Sequence, residues 1–178
     1  NSFIFFIKKD YLKKFQFKIM KKCYNNFHKF IQRIVKQYNI NITKDCKDIL
    51  DSLIKSISEK YIIASINLCK HLNKITIDSN VIKCLTNIWI DESNEILTFA
   101  EEKCNNYFES ETKGITKGKK AGLILPPTRF QELFKNKKYS EQLLGESAYI
   151  YLCSLIEYII ELIIKETIIT LEKENIKT

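Results

Sequence analysis

From Thr43 to Leu72 the chain has no glycine and no proline, and Leu50, Leu53, Ile57, Tyr61, Ala64, Leu68 and Leu72 follow one another at steps of three or four. That spacing draws one continuous apolar stripe along a helix. Ile49, Ile54, Ile62 and Ile66 widen the stripe beyond a single face. Thr43 is placed to cap the helix start, and Asp45 in the first turn suits its positive end. A helix of about 28 residues is ~42 Å long, and with apolar surface on two sides it requires a partner of similar length.

The rest of the chain has the same punctuation. Tyr24, Phe27, Phe30, Ile31, Ile34 and Tyr38 have helical spacing, and residues 39–41 interrupt them. A second break, NKITI, leads to Asp78 as a cap and a short helix carrying Val81, Ile82, Leu85, Ile88 and Trp89. Ser93 or Asn94 opens a more polar helix to about Tyr107. Residues 110–120, with two Gly and four Lys, read as a basic linker. Both prolines follow it: Pro126 and Pro127 hold the chain extended, and Thr128 with Gln131 has the pattern of a capping box. Arg129, Phe130, Leu133 and Phe134 predict a short helix, KNKKYSEQLLG a loop, and Glu146 to about Lys173 a second long helix. The fold class is therefore all-α, in the order short, long, short, extra helix, linker, short, long.

Charge narrows the choice of partner. The net charge of +8 favours a polyanion, nucleic acid or an acidic membrane. Nearly all of it is lysine, Arg33 and Arg129 being the only arginines, and the Lys, Ile and Asn enrichment matches an AT-rich genome. The six cysteines, at 23, 46, 69, 84, 104 and 153, lack zinc-knuckle spacing, with only His28 and His71 to supplement them. They read as reduced core thiols of an intracellular protein, and neither a metal nor a cofactor is expected. No nucleophile–base pair or phosphate loop suggests an enzyme or a small-molecule substrate. The first twenty residues, aromatic and basic without a small-residue cleavage site, make a poor signal peptide. Met20, the sole methionine, is expected to be a natural start.

With these residues in view, the chain resembles a fused pair of histones. AGLILPPTRFQELFKNKKYSEQL resembles the start of histone 2A through Ala121-Gly122-Leu123, Pro126, Arg129, Leu133, Tyr139 and Glu141, and the match continues at Tyr151-Leu152 and Glu157-Tyr158. The earlier half is similar to histone 2B at Tyr24, at Ile49, Ser52, Ile57 and Glu59, and at Thr76-Ile77, Ser79 and Ile82. Residues 91–107 fit the extra C-terminal helix of that histone. The order, 2B then 2A, resembles the histone doublets of giant DNA viruses. The resemblance implies two tandem histone folds paired within one chain. It divides the sequence into an N-terminal extension (1–20), a histone 2B-like fold with its C-terminal helix (21–109), a basic linker (110–120) and a histone 2A-like fold (121–178) that stops before its third helix.

The resemblance also implies a function: packaging duplex DNA without sequence preference in a nucleosome-like particle. The contacts it assigns are Thr43 and Lys44 in the first loop, Lys74 and Thr76 in the second, Lys117, Lys119 and Lys120 on the approach to the second half, Thr128, Arg129 and Lys135 on its first helix, and Lys177. The family's acidic patch survives only as Glu101, Glu157 and Glu161. The implied protein partners are histones three and four or their fused viral counterpart, reached through the end of the first long helix and the Trp89 helix. The implied location is the nucleus or viral factory and the virion. Each lysine also has a plainer role as solvated surface charge; Thr43 and Thr76 also read as caps, and Arg33 as cover for the first helix. Two rivals remain. A histone-fold pairing subunit of a transcription-factor complex would share the fold and read DNA sequence. A membrane protein would use the apolar run from Ala148 to Leu171, but Glu157, Glu161, Lys165 and Glu166 lie inside it, at ~2.5–3.5 kcal/mol for a Lys or acid at the bilayer centre.

Overall fold

Asparagine ends two of the helices. Asn39 at φ +56° follows α1 (His28–Lys36), and Asn73 at φ +49° follows α2 (Lys44–His71). Asn tolerates the left-handed region because its short side chain can bond locally. After α2 the Asn73 N–H reaches Lys70 O (3.2 Å) and the Lys74 N–H reaches Cys69 O (2.8 Å), which satisfies two terminal carbonyls. The computed structural model describes residues 26–90, 94–135 and 142–173. The expectations for Met20, Tyr24, Ser93, Tyr139, Glu141 and Lys177 lie outside those residues.

Within the described residues the chain is all-α. After α2 come strand β1 (Thr76–Ile77), α3 (Ser79–Trp89), α4 (Asn94–Glu109), α5 (Lys117–Ala121), α6 (Pro127–Lys135), β2 (Leu143–Leu144) and α7 (Glu146–Lys173). Local side chains set the starts. Thr43 Oγ1 accepts from the Cys46 N–H (3.3 Å) and Asp78 Oδ1 from the Val81 N–H (3.1 Å), as the sequence predicted. Two expectations are corrected. Thr128 does not cap α6, because Pro127 is already its first residue: its ring presets a helical φ, and the N–H it lacks would have had no intrahelical partner. The linker is ordered in its second half as α5, with Thr116 as cap and Gly122 at φ +66° closing it.

α7 is the hub, and α2, α3, α4 and α6 all pack on it. Residues 148 to 157 are buried without exception, so its first half is covered on every side. The helix is long and apolar enough to cross a membrane, but 72% of its 18-residue apolar window is already buried inside the protein. Each fully buried Leu or Ile contributes about 1.5–3 kcal/mol relative to exposure, which rewards this internal covering.

One short pairing joins the two halves of the chain. β1 runs parallel to β2, Thr76 opposite Leu143 and Ile77 opposite Leu144. The Leu143 N–H donates to Ile75 O and the Gly145 N–H to Ile77 O, both at 2.8 Å. A Cβ on Gly145 would stand 2.9 Å from that same Ile77 oxygen, a backbone atom that cannot step aside. Gly145→Ala is therefore expected to cost about 1–3 kcal/mol, in the range of overpacking. Urea unfolding checks it, and a change below about 0.5 kcal/mol, no larger than a neutral surface substitution, would refute the close approach.

Candidate nucleic-acid interface

The starts of α1 and α6 meet. The Phe27 and Phe130 rings lie 5.5 Å apart, and Arg129 donates from Nη1 to Asn26 O. Its guanidinium stands over both Phe27 (5.3 Å) and Phe30 (4.9 Å). Arg33 covers the Phe30 ring as well, at 5.6 Å, so the only two arginines of the sequence share one aromatic ring. Cation–π contacts of this kind are worth about 0.5–1 kcal/mol when exposed. The junction is anchored beneath by buried Asp51, which accepts the Phe27 N–H (2.7 Å) and pairs with Lys55 (2.6 Å). Thr128 is exposed beside it. Arg129 thus works first as the staple between α1 and α6, with part of its surface still open.

Further along α2 toward its start, Thr43 and Lys44 are exposed, with Thr43 also capping the helix. His28 reaches Asp48 here (2.9 Å). At the other end of α2, Lys74 pairs with Asp78 (2.7 Å), and half-buried Thr76 is held in β1. Lys135 is exposed at the end of α6. The structure therefore brings Thr128 and Arg129 to the start of α1, and Thr76 to β2, while Thr43 and Lys44 open α2 one turn before the Asp48 that His28 reaches.

The linker lysines differ from one another. Lys119 is exposed and Lys120 lies over the Tyr107 ring (5.9 Å). Lys117 turns inward: its ammonium contacts Glu146 and the Tyr149 hydroxyl and stands 5.0 Å over the Tyr149 ring. Glu146 also accepts from Tyr107 (2.7 Å) and Tyr149 (2.9 Å). Burial works to raise the Glu146 carboxyl, but these hydrogen bonds outweigh it and hold it at about 2. Lys117, expected as a DNA contact, forms the clasp that ties α5 and α4 to the start of α7.

Of the three acids, two are partnered and the third is buried. Glu101 pairs with Lys83, and Glu161 accepts from Tyr38 at 3.5 Å. Glu157 is 2% exposed and presents no acidic surface. Its carboxylate accepts the Ile124 N–H (2.9 and 3.1 Å) and the Leu125 N–H (2.6 Å), and so pins the strap between α5 and α6 onto α7. The Cys153 thiol, one turn earlier, donates to Leu125 O (3.4 Å). Sequence reading missed this pinning role and those of Asp51 and Glu146. The i,i+4 pair of Asp51 with Lys55 was the available signal for the first, and an acid directly after Gly145 for the last. The expectation of core thiols fits Cys69, Cys104 and Cys153, whereas Cys46 and Cys84 are exposed. His71 is exposed at the end of α2.

Burial pushes the Glu157 carboxyl up to about 7 against the pull of the Leu125 and Ile124 N–H groups. Between the ordinary carboxyl value of about 4.3 and about 7 the folded chain keeps a proton that the unfolded chain releases. Stability from this group is complete below that window and falls as pH rises through it. Melting temperatures from pH 5 to 7.5 should fall more steeply for the wild type than for Glu157→Gln, and parallel profiles would refute the buried proton.

Neither the known family models nor the curated proteins contain a match to this chain.

Proposed function

We propose that the chain is a histone doublet, two histone-type folds paired within one polypeptide, that packages duplex DNA without reading its sequence. The observation that carries this reading is the parallel pairing of Thr76–Ile77 with Leu143–Leu144. It zips the loop after the first long helix to the loop before the second, as a handshake of two such folds requires. Two equal helices, α2 and α7, pack on one another around it, with α1, α3 and α6 as short companions.

Convergence of the α1 and α6 starts supports a DNA surface. Helix N-termini favour phosphate through their free N–H groups and dipole. At this junction Thr128 is exposed, and Arg129, Arg33 and exposed Lys29 supply charge. The start of α2 with exposed Lys44, and the end of α6 with exposed Lys135, add two further places for the backbone. Contacts of this kind fix position on a duplex without specifying bases. Ile88 and Trp89 of α3 and Leu72 after α2 remain exposed, and they are the surface we assign to a second histone pair.

Binding to random-sequence duplex across a salt series tests the proposal. Affinity should fall steeply with salt, and each phosphate contact removed should lower the slope by about 0.9. Lys44→Gln and Lys135→Gln are expected to do so, and Arg129→Ala to do so with some loss of melting temperature, since it also staples α1 to α6. Lys117→Gln should leave the slope unchanged. Absence of binding at low salt would overturn the DNA assignment, and a lasting preference for one sequence over random competitor would favour a transcription-factor subunit.

A further inference from the structure

Between α3, α4 and α7 lies a cleft of about 220 Å³, and its walls are polar. Ser79, Asn80 and Lys83 line it from α3, Glu101, Cys104 and Asn105 from α4, and Tyr151 from α7. Tyr151 is 2% exposed, and its hydroxyl is buried with no hydrogen-bond partner. A buried hydroxyl without a partner is costly and rare, and cavities that stay empty are apolar. A polar group entering the cleft could supply the partner that the hydroxyl lacks.

The chemistry of the walls selects the ligand. Lys83 and Glu101 pair with each other across the cleft, so its formal charges cancel. A carboxylate would meet Glu101 and could only accept; an ammonium or guanidinium would meet Lys83 and could only donate. The remaining walls, two carboxamides and two hydroxyls, each donate and accept. A neutral group offering a donor and an acceptor side by side satisfies them and leaves the ion pair intact. The cleft is also smaller than the roughly 300–1,000 Å³ of sites that enclose a whole small-molecule ligand. It is sized for one side chain.

We propose that this cleft between α3, α4 and α7 is a receptor for the carboxamide of an asparagine or glutamine side chain presented by a partner protein, with the Tyr151 hydroxyl as its innermost contact. The site is independent of the DNA surface and uses none of its residues. Cys104, buried at its edge, fills space.

The full chain, labelled with nitrogen-15, is titrated with propionamide, propionate, methylguanidinium and the blocked tripeptide Ala-Gln-Ala. Propionamide should move the amide signals of Ser79, Asn80, Lys83, Cys104 and Asn105 in a saturable way, and the tripeptide should saturate at least tenfold earlier. Propionate and methylguanidinium should bind at least tenfold more weakly than propionamide. Tyr151→Phe should abolish the shifts while melting no lower than the wild type, since it removes only an unpaired hydroxyl. Equal shifts with propionate, no shifts at all, or shifts that persist in Tyr151→Phe would overturn the site. Equal affinity for propionamide and the tripeptide would overturn a protein side chain as the source. A crystal structure grown with the tripeptide that places only ordered water on Tyr151 would overturn the receptor altogether.

Discussion

A helix that is apolar around its whole circumference must be covered around its whole circumference, and α7 imposes that demand on the rest of the molecule. From Ala148 to Glu157 it turns through nearly three turns without one residue reaching solvent. Helices α2, α3, α4 and α6 supply the cover, and the strap from Ala121 to Leu125 closes what they leave. The polar groups caught inside follow from the same demand. Ser154 returns its hydroxyl to Ile150 O (2.9 Å), and Glu157 takes the backbone N–H groups of the strap. A carboxyl group in such a place is tolerable because it is hydrogen-bonded and holds its proton up to about pH 7, and it ties the second half's entry segment to its own long helix.

Several of the cations are already partnered within the fold. In a chain with a net charge of +8 a lysine is by default a solvated cation, yet Lys117 is spent on Glu146, Lys83 on Glu101 and Lys74 on Asp78. The arginines behave alike, both lying over Phe30. Among the exposed cations that lie near the assigned DNA surface are Lys29 and Lys44 near the starts of α1 and α2, Lys119 on α5, and Lys135 at the end of α6. These exposed positions, more than the total charge, are what the DNA reading rests on.

Some of this was legible in the sequence because its cause is local. Thr43 and Asp78 cap their helices through the N–H three residues on, a contact that depends on no other part of the chain. Both long helices follow from periodicity and the absence of Gly and Pro. Where sequence reading went astray, a nearer or farther partner intervened. Thr128 had the pattern of a capping box, but Pro127, one residue earlier, had already fixed a helical φ. Residues 117–121 were too short and too rich in Gly and Lys to propose a helix. α5 has its own cap at Thr116 and stop at Gly122, and Lys117 fastens it to Glu146 and Tyr149, 29 and 32 residues away. Glu157 was placed among surface acids because nothing beside it in sequence reveals the strap that buries it.

The sequence by itself determined the all-α class, the two long helices and the breaks between them, since these depend on side-chain spacing and on backbone preferences within a few residues. The tertiary structure alone decided which loop pairs with which, that α7 and not α2 is the hub, which lysines are consumed in clasps, and that Tyr151 ends in a polar cleft without a partner. The physical reason is range. A cap or an apolar stripe is set within one or two turns, whereas the β1–β2 pairing, the Glu157 strap and the Tyr151 cleft join residues between 32 and 72 positions apart. Such contacts form only when packing around α7 brings them together.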